Sequence, residues 1–303
     1  MKTKLLKCKR AARLINWRVT ERDGFTLTEL LVVIGIIALL ATTLLPALAG
    51  TKIGTKNIQC LNNLRQLTTG ALMYQSDNGA IGWGAVNSLW LTTVLSEQGS
   101  AAVRLCPFAM APVKGAIPNA QGTANNAWIW SALSNPNNPN SPIVATNCSY
   151  GLNGWLYKYN STLSGAGFIN PSDGIRFFPR YTAIKHPSQT PEFVDAIWPD
   201  LWPYQGGVPD DNRGQWELYS DNNKANQMTS GSQDQGMARC CIARHSGSGP
   251  VGSTTQVLGN KVPLWNGGVN LSCADGHVEP TTLEGLWSYY WNANETPATR
   301  PLR

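Results

Sequence analysis

Gly24-Phe25-Thr26-Leu27-Thr28-Glu29 heads a run, Leu30 to Ala49, that holds no charged residue. About 20 such residues, at ~1.5 Å rise each, cross the ~30 Å hydrocarbon core of a bilayer. Eight basic residues precede the run: Lys2, Lys4, Lys7, Lys9, Arg10, Arg13, Arg18 and Arg22. By the positive-inside tendency the N-terminus stays cytoplasmic, and everything after the helix is exported. The expected topology is therefore single-pass, with the C-terminal domain exported. The run is longer than the apolar core of a secretory signal and ends without a clean small-x-small cleavage site. An acid, Glu29, sits at its mouth, where an ionisable group is costly.

Gly-Phe-Thr-Leu-Thr-Glu, followed by Leu-Leu-Val-Val-Ile-Gly-Ile-Ile-Ala and by Pro46, resembles the class III signal of type IV pilins and type II secretion pseudopilins. The resemblance implies that a membrane prepilin peptidase cuts between Gly24 and Phe25 and methylates the new amine. Glu29 would be the fifth mature residue, and Phe25, Glu29 and Pro46 would serve assembly. The implied partners are that peptidase, other pilin-like subunits, an inner-membrane assembly platform and membrane lipid. The implied function is structural, in a secretion pseudopilus or pilus-like filament, with no enzyme activity and no cofactor. An ordinary membrane anchor is the alternative.

Other segments carry a second resemblance. Cys60-Leu61-Asn62-Asn63-Leu64-Arg65-Gln66-Leu67 is similar to a helix of large pseudopilin-like proteins of planctomycete and verrucomicrobial type. Leu105-Cys106-Pro107, Ser149 to Asn153, and the step Arg180 to Thr190 before Glu192-Phe193-Val194-Asp195 are similar in the same way. The ending resembles that family's His-x9-Asp-Gly signature, with a departure: 29 residues separate His245 from Asp275. Removing the 20 residues Ser248 to Gly267 restores the spacing, so an insertion between two paired strands is expected.

The net charge of +6 suggests nucleic acid only until it is localised. Residues 1–24 hold eight of 24 basic residues and two of 18 acids, leaving 16 of each sign behind them. The basicity is a topology signal and not a phosphate-binding footprint. Seven cysteines are present, and Cys8 leaves with the leader. The other six, Cys60, Cys106, Cys148, Cys240, Cys241 and Cys273, favour disulfides in an exported domain, with 15 full connectivities open. Free buried thiols are the next alternative. A metal site is disfavoured because no Cys-x2-Cys pair occurs.

The expected architecture is α+β. Residues 1–24 form the leader, 25–50 the membrane half of one long helix, and 51–79 its amphipathic periplasmic half. Residues 80–303 form a β-rich domain with insertions near 111–142, 198–236 and 248–267. Pro46 should kink or loosen the helix. Ile58, Leu61, Leu64, Leu67, Ala71 and Leu72 recur at helical spacing and predict its packed face. Strands are expected at Ser149 to Asn153, Ile175 to Tyr181, Thr190 to Ala196, Arg239 to Arg244 and Val269 to Cys273, with a closing helix over 281–291. Asp275-Gly276 predicts a two-residue hairpin turn.

His245, Asp275 and His277 are the one candidate metal or acid–base set. The simpler expectation is structural: Asp275 and Gly276 make the turn and His245 packs beside it. No Gly-x-Ser-x-Gly, His-Glu-x-x-His or phosphate-binding loop occurs. Trp198, Trp202, Tyr204 and Trp216 cluster in one insertion, suited to sugar or partner binding at a fibre tip, or simply to packing. Asp200, Asp210, Asp211 and Asp221 match no calcium loop.

Overall fold

The structure is a computed structural model that describes residues 24–83, 89–91, 93–94, 101–110, 122–133, 140, 143–159, 171–203, 239–240, 242–245, 267–294 and 296–297. The leader before Gly24, Cys8, Cys241, Tyr204, Trp216, Asp210, Asp211 and Asp221 lie outside these residues, as does most of the three expected insertions. The chain divides into two compact units, residues 1–49 and 50–303.

Helix α1 (Leu27–Asn78) belongs to both units and runs through Pro46 without a break. Its first half is long and apolar enough to cross a membrane, and Leu30, Leu31, Val32, Ile34 and Ile37 are all exposed. Its second half is amphipathic. Cys60, Leu64, Leu67 and Ala71, spaced four, three and four, are fully buried on one face. Burial of each leucine contributes roughly 1.5–3 kcal/mol. Ile58 departs from the expected stripe and is 62% exposed. Polar residues fill the rest of the face: Asn63, Thr68 and Gln75 are buried.

The second unit is built on a five-stranded sheet. Its strands are β4 (Tyr150–Asn153), β6 (Pro191–Asp195), β7 (Asp200–Leu201), β8 (Gly268–Cys273) and β9 (Val278–Thr282), in the order β7-β4-β6-β8-β9. Neighbours are antiparallel except β4 and β7. Two smaller pairs accompany it. β1 (Ile81–Gly82) runs parallel to β5 (Tyr157–Lys158), and β2 (Trp128–Leu133) pairs antiparallel with β3 (Ile143–Cys148). The edge strand β9 carries Pro280, a residue an edge tolerates because it needs no ladder donor there.

The sheet separates two cores. Leu64, Leu67, Tyr150, Leu152, Trp155 and Phe193 gather in one. Val194, Val269, Leu271, Cys273, Leu286, Trp287 and Trp291 gather in the other. Strand β8 therefore turns its apolar residues away from the helix, since Val269, Leu271 and Cys273 alternate with Asn270 and Ser272. Thr68 Oγ1 donates to Ser272 Oγ at 2.6 Å, and Asn270 Nδ2 donates to Asn57 Oδ1 at 2.8 Å. Gln75 Nε2 donates to Glu192 Oε1 at 2.9 Å.

Several expected elements are corrected. Ile175 to Tyr181 is not a strand: 3-10 turns at Pro171–Arg176 and Tyr181–Ala183 occupy that region. Among the described residues of Arg239 to Arg244 there is no strand; His245 makes a single bridge to Gly268. β2 lies inside the span expected to be loop. The closing helix is a 3-10 turn, Glu284–Ser288. The β8–β9 turn is longer than two residues. Gly276 N donates to Cys273 O at 2.9 Å, and among these residues only Gly276 takes positive φ, at 91°. This is a type I turn closed by a glycine bulge.

Candidate functional site

Gly24, Phe25 and Thr26 precede α1 as exposed, non-helical backbone. Thr26 caps the helix. Its Oγ1 accepts from Glu29 N at 3.2 Å, while Glu29 Oε2 accepts from Thr26 N at 2.9 Å and from Thr26 Oγ1 at 2.7 Å. This reciprocal capping box satisfies two donors that every helix start leaves open. The Thr-x-x-Glu spacing carries that signal in the sequence and was overlooked there. Both side-chain bonds fall on Oε2, so Glu29 Oε1 takes part in neither. The junction between Gly24 and Phe25 thus lies in accessible chain, two residues before the first helical one. A Cβ added at Gly24 meets nothing within 4 Å.

Residues 21–45 match the prokaryotic N-terminal methylation motif. The chain thus carries a pilin-like N-terminal segment. The matched residues contain the Gly24-Phe25 junction, Glu29 and most of the apolar half of α1, which is long enough to cross a membrane. No curated protein and no solved structure matches the chain.

The described cysteines of this pilin-like chain, Cys60, Cys106, Cys148, Cys240 and Cys273, are all free thiols and all buried, where the sequence favoured disulfides. Cys240 and Cys273 fill core volume as small apolar residues, whereas Cys60 and Cys106 meet polar partners. The expected histidine set is also taken apart. His245 bridges Gly268 at the start of β8, whereas Asp275 and His277 lie past its end. Six strand residues at ~3.3 Å each separate the two places by ~20 Å. His245 is therefore no part of the turn. Asp275 and His277 remain there: Asp275 Oδ1 accepts from His277 N at 3.1 Å and contacts His277 Nδ1 at 2.5 Å. Gly276 serves the turn as expected.

His245 instead joins residues from three other segments. Its Nε2 lies 2.9 Å from Asp195 Oδ2 at the end of β6 and 3.6 Å from Cys106 Sγ. Cys60 Sγ, on α1, lies 3.8 Å from Asp195 Oδ2. Tyr150 donates its hydroxyl hydrogen to Cys60 Sγ at 3.3 Å. Phe108 meets the His245 ring edge-on at 5.1 Å between centroids. Arg244 closes the rear of the cluster. Fully buried, it pairs with Asp195 Oδ1 at 3.0 Å and donates to the carbonyls of Ser149, Thr123, Ala124 and Ala196.

Burial disfavours charge throughout this cluster, yet specific partners oppose it. Burial pushes Asp195 up, but His245 and then Arg244 bring it down to about 2. Burial pushes His245 down, but the Asp195 carboxylate lifts it to about 9. Burial raises Cys60 far above the usual thiol range, whereas the hydrogen bond from Cys60 draws Cys106 below it. Sequence reasoning picked out Cys60, Cys106, Asp195 and His245 in separate segments but had nothing to bring them together. Arg244 gave no signal beyond adjacency to His245.

Of the two described tryptophans of the expected insertion, Trp202 is buried and Trp198 half-buried. Trp202 is buried against Trp155, with ring centroids 5.2 Å apart. Trp198 meets Trp130 at 5.5 Å and lies under the Arg239 guanidinium at 5.7 Å. Asp200 is buried and pairs with Arg239 at 2.8 Å.

Proposed function

We propose that the chain is a structural filament subunit, cut between Gly24 and Phe25, methylated at the new amine, and assembled through α1 into a type II secretion pseudopilus or type IV pilus-like fibre. It performs no catalysis, and its C-terminal domain is periplasmic. The observation that carries this reading is the capped, exposed apolar helix beginning two residues after an accessible Gly-Phe junction. After cleavage Phe25 bears a positive amine, and the Thr26 cap survives. Glu29 lies four residues on, ~6 Å along the axis. A carboxylate entering hydrocarbon is costly without a cation at its own depth. The amine of a neighbouring subunit is such a cation, and Glu29 Oε1 is outside the capping box. That pair fixes one stagger between helices that apolar contact alone would leave free to slide.

Three measurements test the proposal. Mass spectrometry of the membrane-purified protein should find methylated Phe25 as the N-terminus; an intact leader or a cut after Ala49 ends it. Gly24→Ala should leave the precursor uncut, although the chain itself has room for the methyl group. Glu29→Val should be cut yet absent from sheared fibres, and normal incorporation would sink the register role. The rival function, a fibre-tip sugar-binding module, draws nothing from Trp202, which is buried, and has Trp198, which is half-buried against Trp130, as its one described candidate.

A further inference from the structure

We infer that Cys60, Cys106, Asp195 and His245 form a closed, four-coordinate metal site that takes zinc. The four ligand atoms all lie within 4.8 Å of one another. Tetrahedral zinc, with sulfur at ~2.3 Å and nitrogen or oxygen at ~2.0–2.2 Å, spaces its ligands ~3.3–3.8 Å apart. Here sulfur to nitrogen is 3.6 Å, sulfur to oxygen 3.8 Å and nitrogen to oxygen 2.9 Å. The two sulfur contacts already match, and the His245–Asp195 pair need open by only about 0.4 Å to admit the ion.

The donors select the ion. Two thiolates and an imidazole favour zinc over calcium or magnesium, which prefer oxygen ligands. Asp195 divides its work: Oδ1 faces Arg244, while Oδ2 faces Cys60 and His245. On binding, each thiol loses its proton to solvent, and so does Nε2 of the His245 imidazolium, which becomes a neutral ligand. Two thiolates and one carboxylate then face one divalent ion and one arginine, and the charges sum to zero. That balance gives the wholly buried Arg244 a purpose beyond its carbonyl contacts, because a buried site tolerates no net charge.

The surroundings agree. Metal on Nε2 requires the proton on Nδ1. Asn270 Nδ2 lies 3.3 Å from Nε2 and 3.5 Å from Nδ1, so this amide lies against the ring on the side shared by both nitrogens. All four ligands are protein groups, so no position stays open for water or substrate, and the role is structural. The ion staples α1, the Cys106-Pro107 segment, the end of β6 and the entry to β8. Zinc binding is independent of processing and assembly, and either conclusion can fail alone.

The test uses the full-length chain, purified in detergent, given one equivalent of zinc and dialysed. One zinc per chain should remain by elemental analysis. Cobalt in its place should give a thiolate-to-cobalt charge-transfer band and the intense visible absorption of a tetrahedral site. Cys106→Ser should weaken retention at least tenfold and diminish the charge-transfer band. If that variant fails to fold, the wild-type cobalt spectrum decides alone. Loss of metal on dialysis, or the weak spectrum of octahedral cobalt, would overturn the site. So would a Cys60–Cys106 disulfide as the resting state in cells, read by peptide mapping of protein alkylated before lysis.

Discussion

Glu192 is a carboxyl buried on β6, where Gln75 Nε2 lies 2.9 Å from Oε1 and Tyr181 Oη 3.1 Å from Oε2. Tyr181 has one hydroxyl hydrogen and also lies 2.5 Å from Ala274 O. A protonated Glu192 resolves that shortage by donating to Tyr181, which in turn donates to Ala274. Burial pushes its pKa up to about 8, against the hydrogen bonds from Tyr181 and Gln75. The folded chain thus keeps a proton that the unfolded chain releases above ~4.3. Stability should fall as pH rises from about 4.3 through about 8, by up to ~1.4 kcal/mol per pH unit. Melting temperatures across that window should slope less steeply for Glu192→Gln than for the parent; parallel slopes would disprove it. Arg244 makes the opposite case, a permanent charge with every neighbour arranged around it. Arg244→Met leaves Asp195 Oδ1 and four buried carbonyls without their donor and should cost ~3–5 kcal/mol by denaturant unfolding.

Among the elements, the corner after β4 is the most tightly specified. Asn153 accepts from Trp155 N at 3.2 Å and donates to the carbonyls of Pro191 at 3.0 Å and Trp291 at 2.8 Å. A Cβ on Gly154 would sit 2.5 and 2.6 Å from Cε2 and Cε3 of the buried Trp202 indole. Gly154→Ala should therefore destabilise by ~1–3 kcal/mol, read as a lowered denaturant midpoint. At the β8–β9 turn the cost is in the backbone instead. A Cβ on Gly276 meets only Leu72 Cδ1, at 3.6 Å, but its φ of 91° suits no branched residue. Gly276→Val should lose ~1–3 kcal/mol, while Asp275→Asn, whose backbone is unstrained, should lose under ~1 kcal/mol.

The long helix was legible in the sequence from its uncharged first half and the helical spacing of Leu64, Leu67 and Ala71 in its second; β8 was legible from the alternation of Val269, Leu271 and Cys273 with polar residues. Arg239 to Arg244 misled because residues 240–243 form a short apolar run, whereas Arg244 commits that segment to carbonyls from several others. Ile175 to Tyr181 looked extended from composition, but the structure gives it 3-10 turns and no strand partner. The buried cluster was invisible for a topological reason. Its four members come from segments separated by tens to more than a hundred residues, and no local spacing encodes their meeting.

At the scale of the whole molecule, the five described cysteines report global unfolding. None has accessible surface, so alkylation should track the denaturant transition instead of preceding it. Alkylation in native buffer at a rate independent of denaturant would show that a core opens locally. The seam between α1 and β8 has its own consequence once force is considered. Greasy interfaces creep under shear, since one apolar contact replaces another at little cost. Thr68 to Ser272 and Asn57 to Asn270 cannot creep: a hydrogen bond displaced by about 1 Å is largely lost. A subunit hauled by its N-terminal helix would carry tension through that seam as a stiff, brittle joint, holding its length until it snaps.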